Sequence, residues 1–197
     1  MEKLKERIEE EGNRKGTQTI LVFPEELQIL NESNNFPRDI VLEEDLPSDR
    51  FLDSYMERVD KETENLIEVE NPNKLLHEPV AILKKKKNEF LYIESKWFDV
   101  VKIDGLSMEY DIVFSRYFAL FGLRVPKKAK DKLKSFFSES LHGDETSYRL
   151  MFNDQDGVWD VNFSFERLDG FHDEITVGEA IGMIYRFLLQ LHLFLKK

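Results

Sequence analysis

Apolar side chains recur at every second position in the last third of the chain, over Tyr148–Phe152 and Val158–Arg167, and their alternation with polar residues is strict from Trp159 to Glu166. Alternation with a period of two places successive side chains on opposite faces of a strand, so the pattern predicts two β-strands. The turn-forming residues 153–157 between them predict a hairpin with Gly157 at positive φ. We expect one apolar row of the second strand to face the core: Trp159, Val161, Phe163 and Phe165.

Two helices flank this hairpin in the sequence. Pro126–Leu141 has one apolar face, and Gly143 suits the left-handed position just past the helix end. Thr176 and Glu179 have the spacing of a capping box, in which each side chain satisfies a backbone amide at the start of a helix. The helix that follows, up to Leu195, is apolar around most of its circumference, so we expect it to be covered on more than one side.

The middle of the chain adds further strands. Phe90–Ile103 is predicted to be extended, whereas Ile112–Val125 matches both periods and is assigned to a strand because Gly122 would weaken a helix. Pro79–Leu83 fits either a hairpin with Phe90–Ile93 or a helix that leads into that strand. We therefore predict an α+β fold, in which a mixed or antiparallel sheet is covered by helices and the C-terminal core runs strand–helix–hairpin–helix.

The first 75 residues are less regular. The patterns predict a helix over Glu2–Glu11, a strand over Thr17–Phe23, a helix from Pro24, and a loop over Asn31–Pro47. Ser48 is a predicted N-cap for a further helix, whose stripe contains Phe51, Leu52, Tyr55, Met56 and Val59.

Charge divides the chain at the same place. Residues 1–75 contain 10 basic and 20 acidic residues, whereas residues 76–197 contain 18 and 19, so nearly all of the net charge of −11 lies in the first part. We predict an acidic, mainly helical N-terminal extension over residues 1–75 and an α+β core domain over residues 76–197. A negative field repels phosphate backbones, which argues against nucleic-acid binding.

Composition excludes several classes of protein. There is no cysteine, so disulfide scaffolds, thiolate metal sites and thiol nucleophiles are excluded, and a reducing cytoplasm suits the chain. The charged N-terminus has no apolar core of a secretory signal. Polar residues interrupt the apolar C-terminal run, so we expect a buried helix and no membrane association.

No motif for metal or nucleotide chemistry is present. Aligning Gly157 with the invariant glycine of an EF-hand loop puts Phe152 and Phe163 at ligand positions, so the calcium motif fails. The four histidines have no metal-binding spacing, and no phosphate-binding glycine loop occurs. We therefore predict neither a metal nor a cofactor.

Four residues form the candidate ligand site. Trp97, Trp159 and Asp160 would combine indole rings with a polar strand residue, and Arg186 is a cation within an apolar helix. Because an unpaired buried guanidinium is costly, Arg186 should either reach the surface or meet a carboxylate, with Glu179 or Asp160 as candidates. For Trp159, a place in the core is the simpler interpretation.

Several pieces of the second half resemble a small uncharacterised bacterial protein family: residues 87–90, 155–160, 170–171 and 176–180. Members of that family sometimes carry a branched-chain aminotransferase label. The residues here do not support that activity, because a transaminase needs a larger scaffold, a Schiff-base lysine and a phosphate cup.

Two functions fit these patterns. The first is a cytosolic, non-enzymatic protein-binding or regulatory module that acts through a protein partner or self-association. The second is a small-molecule-binding protein or enzyme with a pocket near Trp97, Trp159 and Arg186. Arg186 facing a pocket lined by polar groups would support the second, and a continuous exposed apolar patch on the N-terminal helices would support the first.

Overall fold

A seven-stranded antiparallel sheet forms the centre of the structure, a computed structural model that describes residues 2–34, 39–46, 49–142 and 145–196. The helices are α1 (Glu2–Lys15), α2 (Pro24–Ser33), α3 (Pro72–Leu75), α4 (Ile82–Lys85), α5 (Lys130–Ser140) and α6 (Val177–Lys196). The strands are β1 (Thr19–Val22), β2 (Val41–Glu44), β3 (Tyr55–Asp60), β4 (Leu66–Val69), β5 (Glu89–Glu94), β6 (Leu106–Asp111), β7 (Arg116–Leu123), β8 (Tyr148–Asn153) and β9 (Val158–Ser164).

The strands of the large sheet lie in the order β4-β3-β5-β6-β7-β9-β8. Every neighbouring pair is antiparallel. Together with the helices this makes an α+β protein, as predicted, and the antiparallel alternative is the one that forms.

The two faces of the sheet differ in burial. Strand register aligns a buried row across four strands: Leu91, Met108, Ala119 and Phe163. The adjacent row, which points the other way, is only partly buried: Tyr92, Ser107, Leu120 and Asn162. We call the first the core face and the second the open face, an arrangement that antiparallel sheets commonly adopt.

Helices α5 and α6 cover the core face, as predicted. Phe187 of α6 stacks on Phe163 of β9 with ring centroids 4.8 Å apart. The capping box at the start of α6 is present, since Thr176 N donates to Glu179 Oε2 at 2.7 Å and Glu179 N donates to Thr176 Oγ1 at 3.1 Å. The β8–β9 hairpin also forms, with Gly157 at φ +70.

The N-terminal elements are partly as predicted. Helix α1 docks through the fully buried Leu4 and Ile8 and extends beyond Gly12, ending before Gly16, whose φ is +62. Strand β1 and a helix that begins at Pro24 are confirmed. The predicted loop over 31–47 is wrong where β2 pairs in parallel with β1, because that tertiary pairing leaves no periodic signal in four residues.

The predicted helix over residues 51–59 is wrong. Residues 49–53 form turns and Tyr55–Asp60 is strand β3. Phe51, Met56 and Val59 are buried as expected, but Tyr55 is exposed, because strand alternation turns it away from Met56. The predicted N-cap, Ser48, lies outside the described residues, as does Gly143.

Three predictions in the middle of the chain have different outcomes. The segment from Pro79 is the helix-to-strand alternative, with α4 followed by β5. Extended structure after β5 is wrong, since Lys96–Asp99 is a short 3₁₀ helix at whose start Ser95 Oγ accepts from Trp97 N at 3.4 Å. The strand predicted over 112–125 is confirmed as β7, and residues 112–115 turn between β6 and β7.

Strands β3 and β4 belong to residues 1–75 but are part of the large sheet, where β3 pairs with β5 along its whole length. The described part of residues 1–75 therefore contains four strands as well as helices. The division of the chain at residue 75 stays a prediction.

Candidate functional site

The four predicted site residues do not share one pocket wall. Trp159 is 3% exposed and packs edge-on against Phe152. Asp160, the next residue of β9, is exposed on the other side of the sheet. Because neighbouring strand residues point to opposite faces, these two side chains cannot line the same cavity.

Trp97 lies in a different part of the core. It is 1% exposed, and the guanidinium of Arg50 stacks over its ring at 3.8 Å from the centroid. This contact is a cation–π interaction shielded from water. Trp97 therefore supports a buried charge instead of facing a ligand.

Arg50 belongs to a buried cluster that the sequence patterns did not reveal. Its Nη2 donates to Glu26 Oε2 at 2.9 Å, and Tyr185 donates its hydroxyl to Glu26 Oε1 at 2.8 Å. The amide of Phe23 donates to Glu26 Oε2 at 2.9 Å. We call Glu26, Arg50 and Tyr185 the buried cluster. Glu26 was recognisable only as an acid in the first turn of a helix, where many acids are exposed.

Arg186 does meet a carboxylate, but neither predicted partner is the right one. Its Nε and Nη2 donate to the two carboxylate oxygens of Glu25 at 2.9 and 3.0 Å. Gln190 adds a third hydrogen bond to Glu25 at 2.9 Å. Glu179 is instead committed to the capping box, and Asp160 lies on the open face.

The environment of Glu25 changes its acidity. Burial raises the pKa of this carboxyl, but the hydrogen bonds from Arg186 and Gln190 outweigh burial and lower the pKa below its usual value. The Arg186 side chain remains 33% exposed. It lines two neighbouring cavities of about 460 and 480 Å³, which also share Asp169 and Met183.

Histidines surround these two cavities. His142 lines the first, and His77 and His172 line the second. Among the described residues, however, no group of three or more His, Asp or Glu side chains is arranged to hold a metal ion. The polar lining mixes both signs of charge, so it does not select one class of ligand.

Exposed apolar side chains also lie on the edge of the sheet and on one turn. Every residue of β4 is exposed, and three of the four are apolar: Leu66, Ile67 and Val69. On the neighbouring strand Tyr55 is 42% exposed. A second exposed group, Ile112, Val113 and Phe114, caps the β6–β7 turn.

Strand β4 is paired on one side only, with β3. The amide of Glu70 donates to Met56 O at 2.9 Å. Because backbone groups in an antiparallel ladder alternate in direction, those of Val69 point away from β3. We call Leu66–Val69 with this free side the β4 edge.

Acidic residues surround the β4 edge. Residues 55–70 contain six acidic and two basic residues. Arg58 is ion-paired with Glu68, Glu70 and Glu89. The three carboxylates hold Arg58 and leave the local charge negative.

Within the described residues, no helix is long and apolar enough to cross a bilayer. A scan against protein-family models finds no match, and searches of the curated proteins and of the solved structures find none either. The functional argument for this chain therefore rests on its own residues.

Proposed function

We propose that the protein is a non-enzymatic protein-binding module in which the β4 edge adds an extended, basic segment of a partner to the sheet. The observation that carries the proposal is the exposure of all four residues of β4 at the end of a seven-stranded sheet. A strand with a free backbone side can accept a further strand, and its side chains then supply specificity.

Natural proteins usually protect such an edge with charged side chains, proline, a β-bulge, a short strand or a covering element. β4 is four residues long, contains Glu68 and has a register shift against β3, but it contains neither lysine nor proline, and Leu66, Ile67 and Val69 are 43–55% exposed. An exposed apolar strand at a sheet edge favours association with another chain. The apolar side chains of β4 therefore support binding as the role of this edge.

Charge favours a basic partner over a second copy of the chain. A two-fold pairing of β4 with itself would bring Glu68 and Glu70 of both copies together, and like charges across a strand pair are destabilising. A segment that alternates apolar and basic residues would instead meet this acidic surface with opposite charge. Self-association through β4 is therefore the less favoured form of the proposal.

The cytoplasm is the proposed location, because a chain without cysteine suits a reducing compartment. Neither nucleic acid nor a pyridoxal cofactor is part of the proposal. The resemblance to a small bacterial family likewise stays a proposal, and the aminotransferase label remains a misnomer in this view.

The alternative, a small-molecule site, is now centred on Arg186 alone. It is supported by the two cavities that Arg186 lines. It is weakened because Glu25 occupies two of the guanidinium donors and because Trp97 and Trp159 are enclosed in the core. We therefore prefer the β4 edge.

The test uses a capped eight-residue peptide of alternating valine and lysine, with a valine–glutamate peptide as the charge control. Titration into the isotope-labelled protein is followed by amide chemical shifts. We expect the valine–lysine peptide to shift the amides of Leu66–Val69 and of β3, and the valine–glutamate peptide to leave them unchanged.

Val69→Pro is the critical variant. It removes an amide that points away from β3, so strand addition should be lost while the internal ladder remains. Val69→Thr keeps the amide and should bind as the unaltered protein does. Equal binding by Val69→Pro, or shifts confined to another surface, would rule out the β4 edge.

A further inference from the structure

A cavity of about 560 Å³ lies between the N-terminal helices, the start of α5 and the C-terminal half of α6. Four buried apolar side chains lie behind it: Leu4 of α1, Ile29 of α2, Leu189 of α6 and Val125. Val100, Pro126, Ala129 and Leu195 complete the apolar lining. A volume of this size falls within the range of small-molecule pockets.

The rim of this cavity is basic. Four exposed lysines line it: Lys102, Lys128, Lys132 and Lys196. No aspartate or glutamate is among the described residues that line it. The positive charge of this rim is opposite in sign to the net charge of the chain, which is −11.

Lys102, Lys128 and Lys132 make no ion pair with any residue that the structure describes; Lys132 Nζ donates only to the carbonyl of Leu195, at 3.5 Å. Elsewhere Lys15, on α1, holds two carboxylates. The ammonium groups of Lys102, Lys128 and Lys132 are therefore available to an external anion.

His192 adds a neutral polar group to the wall. Its Nε2 lies 2.8 Å from the carbonyl of Val101, which fixes the ring. Burial lowers the pKa of His192 to about 4, so the imidazole is uncharged at neutral pH. The interior is thus apolar and neutral, and its positive charge is confined to the rim.

We propose that this cavity binds the anion of a medium-chain fatty acid, with the alkyl chain along Val100, Ala129 and Leu195 and the carboxylate at Lys102, Lys128 and Lys132. An apolar interior matches the chain, because burial of each methylene is favourable in water. A cationic rim at the mouth matches a single terminal carboxylate. The site is separate from the β4 edge, so it stands or falls independently of the proposed partner.

Calorimetric titration of the full chain with octanoate, decanoate and dodecanoate tests the apolar part. Each added methylene that enters the cavity should tighten Kd by up to about fourfold. We expect one molecule bound per chain. An affinity that does not change with chain length, or uptake without saturation, would overturn the proposal.

Dodecanol and charge variants test the rim. Dodecanol should bind at least severalfold more weakly than dodecanoate. The double variant Lys128→Glu/Lys132→Glu should weaken dodecanoate binding by about tenfold or more. Lys130→Glu/Lys134→Glu makes the same charge change on exposed positions of α5 outside the cavity and should bind nearly as the unaltered protein does. An equal loss in both double variants would reveal only a net-charge effect and refute a rim site.

Membrane lipid is the competing source of the same chemistry. Flotation with phosphatidylglycerol vesicles distinguishes it, because a cavity for a free fatty acid predicts no vesicle binding. Vesicle binding that depends on Lys128 and Lys132, without one-to-one uptake of dodecanoate, would replace the proposal with a membrane contact.

Blocking the cavity gives an independent test. Ala129 is half-buried on the wall, and Ala129→Trp should fill the space and abolish binding of dodecanoate. Its thermal unfolding, measured without ligand, shows whether the fold is kept. A folded Ala129→Trp protein that binds dodecanoate normally would contradict the assigned site.

Discussion

Tyr185 donates its hydroxyl to Glu26 at 2.8 Å, although the two residues are 159 positions apart in the sequence. The same carboxylate accepts from Arg50 Nη2 and from the amide of Phe23. Glu26 thus connects α2, the segment before β3 and the long helix α6. Because Glu26 is fully buried, each of these bonds is made without competition from water.

The buried cluster should be sensitive to removal of its cation. Arg50→Met leaves the Glu26 carboxylate without its counter-charge and should lower the free energy of unfolding by about 3–5 kcal/mol. Arg186→Met removes a partner of Glu25 that is 33% exposed and should cost only about 1 kcal/mol. Urea unfolding measures both, and equal losses would contradict the distinction drawn from burial.

The hydroxyl of Tyr185 should contribute less to the free energy of unfolding than the guanidinium of Arg50 does. Tyr185→Phe keeps the packing of the ring but removes the hydrogen bond to Glu26 Oε1. The free energy of unfolding should fall by about 1–2 kcal/mol. Tyr148→Phe is the matched control, since that hydroxyl makes only a 3.5 Å contact at the surface, to Lys134 O. If both variants unfold at the same urea concentration, the Tyr185 bond is not stabilising.

Glu25 should make stability depend on acid pH. Its pKa is lowered in the folded protein, so the ionised form stabilises the fold above the pKa of the unfolded chain, near 4.5. This contribution is lost as pH falls through the lower, folded value. The difference in unfolding free energy between wild type and Glu25→Gln should therefore be larger at pH 6 than at pH 3. A difference that is constant with pH would show that Arg186 does not affect Glu25.

Burial of His192 should lower the free energy of unfolding as pH falls, in a range of pH above the one in which Glu25 titrates. Its pKa is about 4 in the fold, chiefly because of burial, against 6.5 for an ordinary histidine. Between these values the unfolded chain binds the proton and the folded chain does not, so stability decreases as pH falls from about 6.5 to 4. His192→Gln should remove up to roughly 3 kcal/mol of this dependence. Proton NMR of the ring gives the folded pKa directly, and an ordinary value would be incompatible with the enclosed position.

Arg58 should hold the β4 edge to the sheet. Arg58→Gln leaves Glu68, Glu70 and Glu89 near one another without their shared cation, so β4 should open more often. We expect faster hydrogen exchange at Glu68 and Glu70, whose amides face β3, with little change in β9. Arg149→Gln, on the opposite edge strand, should leave exchange in β4 as it is.

Local patterns determined the C-terminal half of the fold. The alternation in β8 and β9, the turn at Gly157 and the capping box at Thr176 each depend on residues a few positions apart. They form wherever the segment lies, so the sequence predicts them well. The same applies to Pro24 at the start of α2.

The helix predicted from the spacing of apolar residues over 51–59 was wrong for a physical reason. Phe51, Met56 and Val59 are buried in the fold, but the choice between helix and strand was made by pairing of β3 with β5. That pairing supplies hydrogen bonds from residues 89–94, which no window around residue 55 contains. Tertiary contacts override local propensity in such short segments.

The candidate sites show the same division between what local sequence predicts and what tertiary contacts decide. By itself the sequence determined that Arg186 needed either solvent or a carboxylate, that Trp159 belonged to an apolar row, and that excess negative charge lay in the first 75 residues. Only the tertiary structure decided that Glu25 is the partner of Arg186, that β4 is a free edge, and that Lys102, Lys128 and Lys132, which make no ion pair with any described residue, line one cavity. Composition and spacing fix what a side chain requires, whereas the partner that meets the requirement depends on chain segments brought together only by folding.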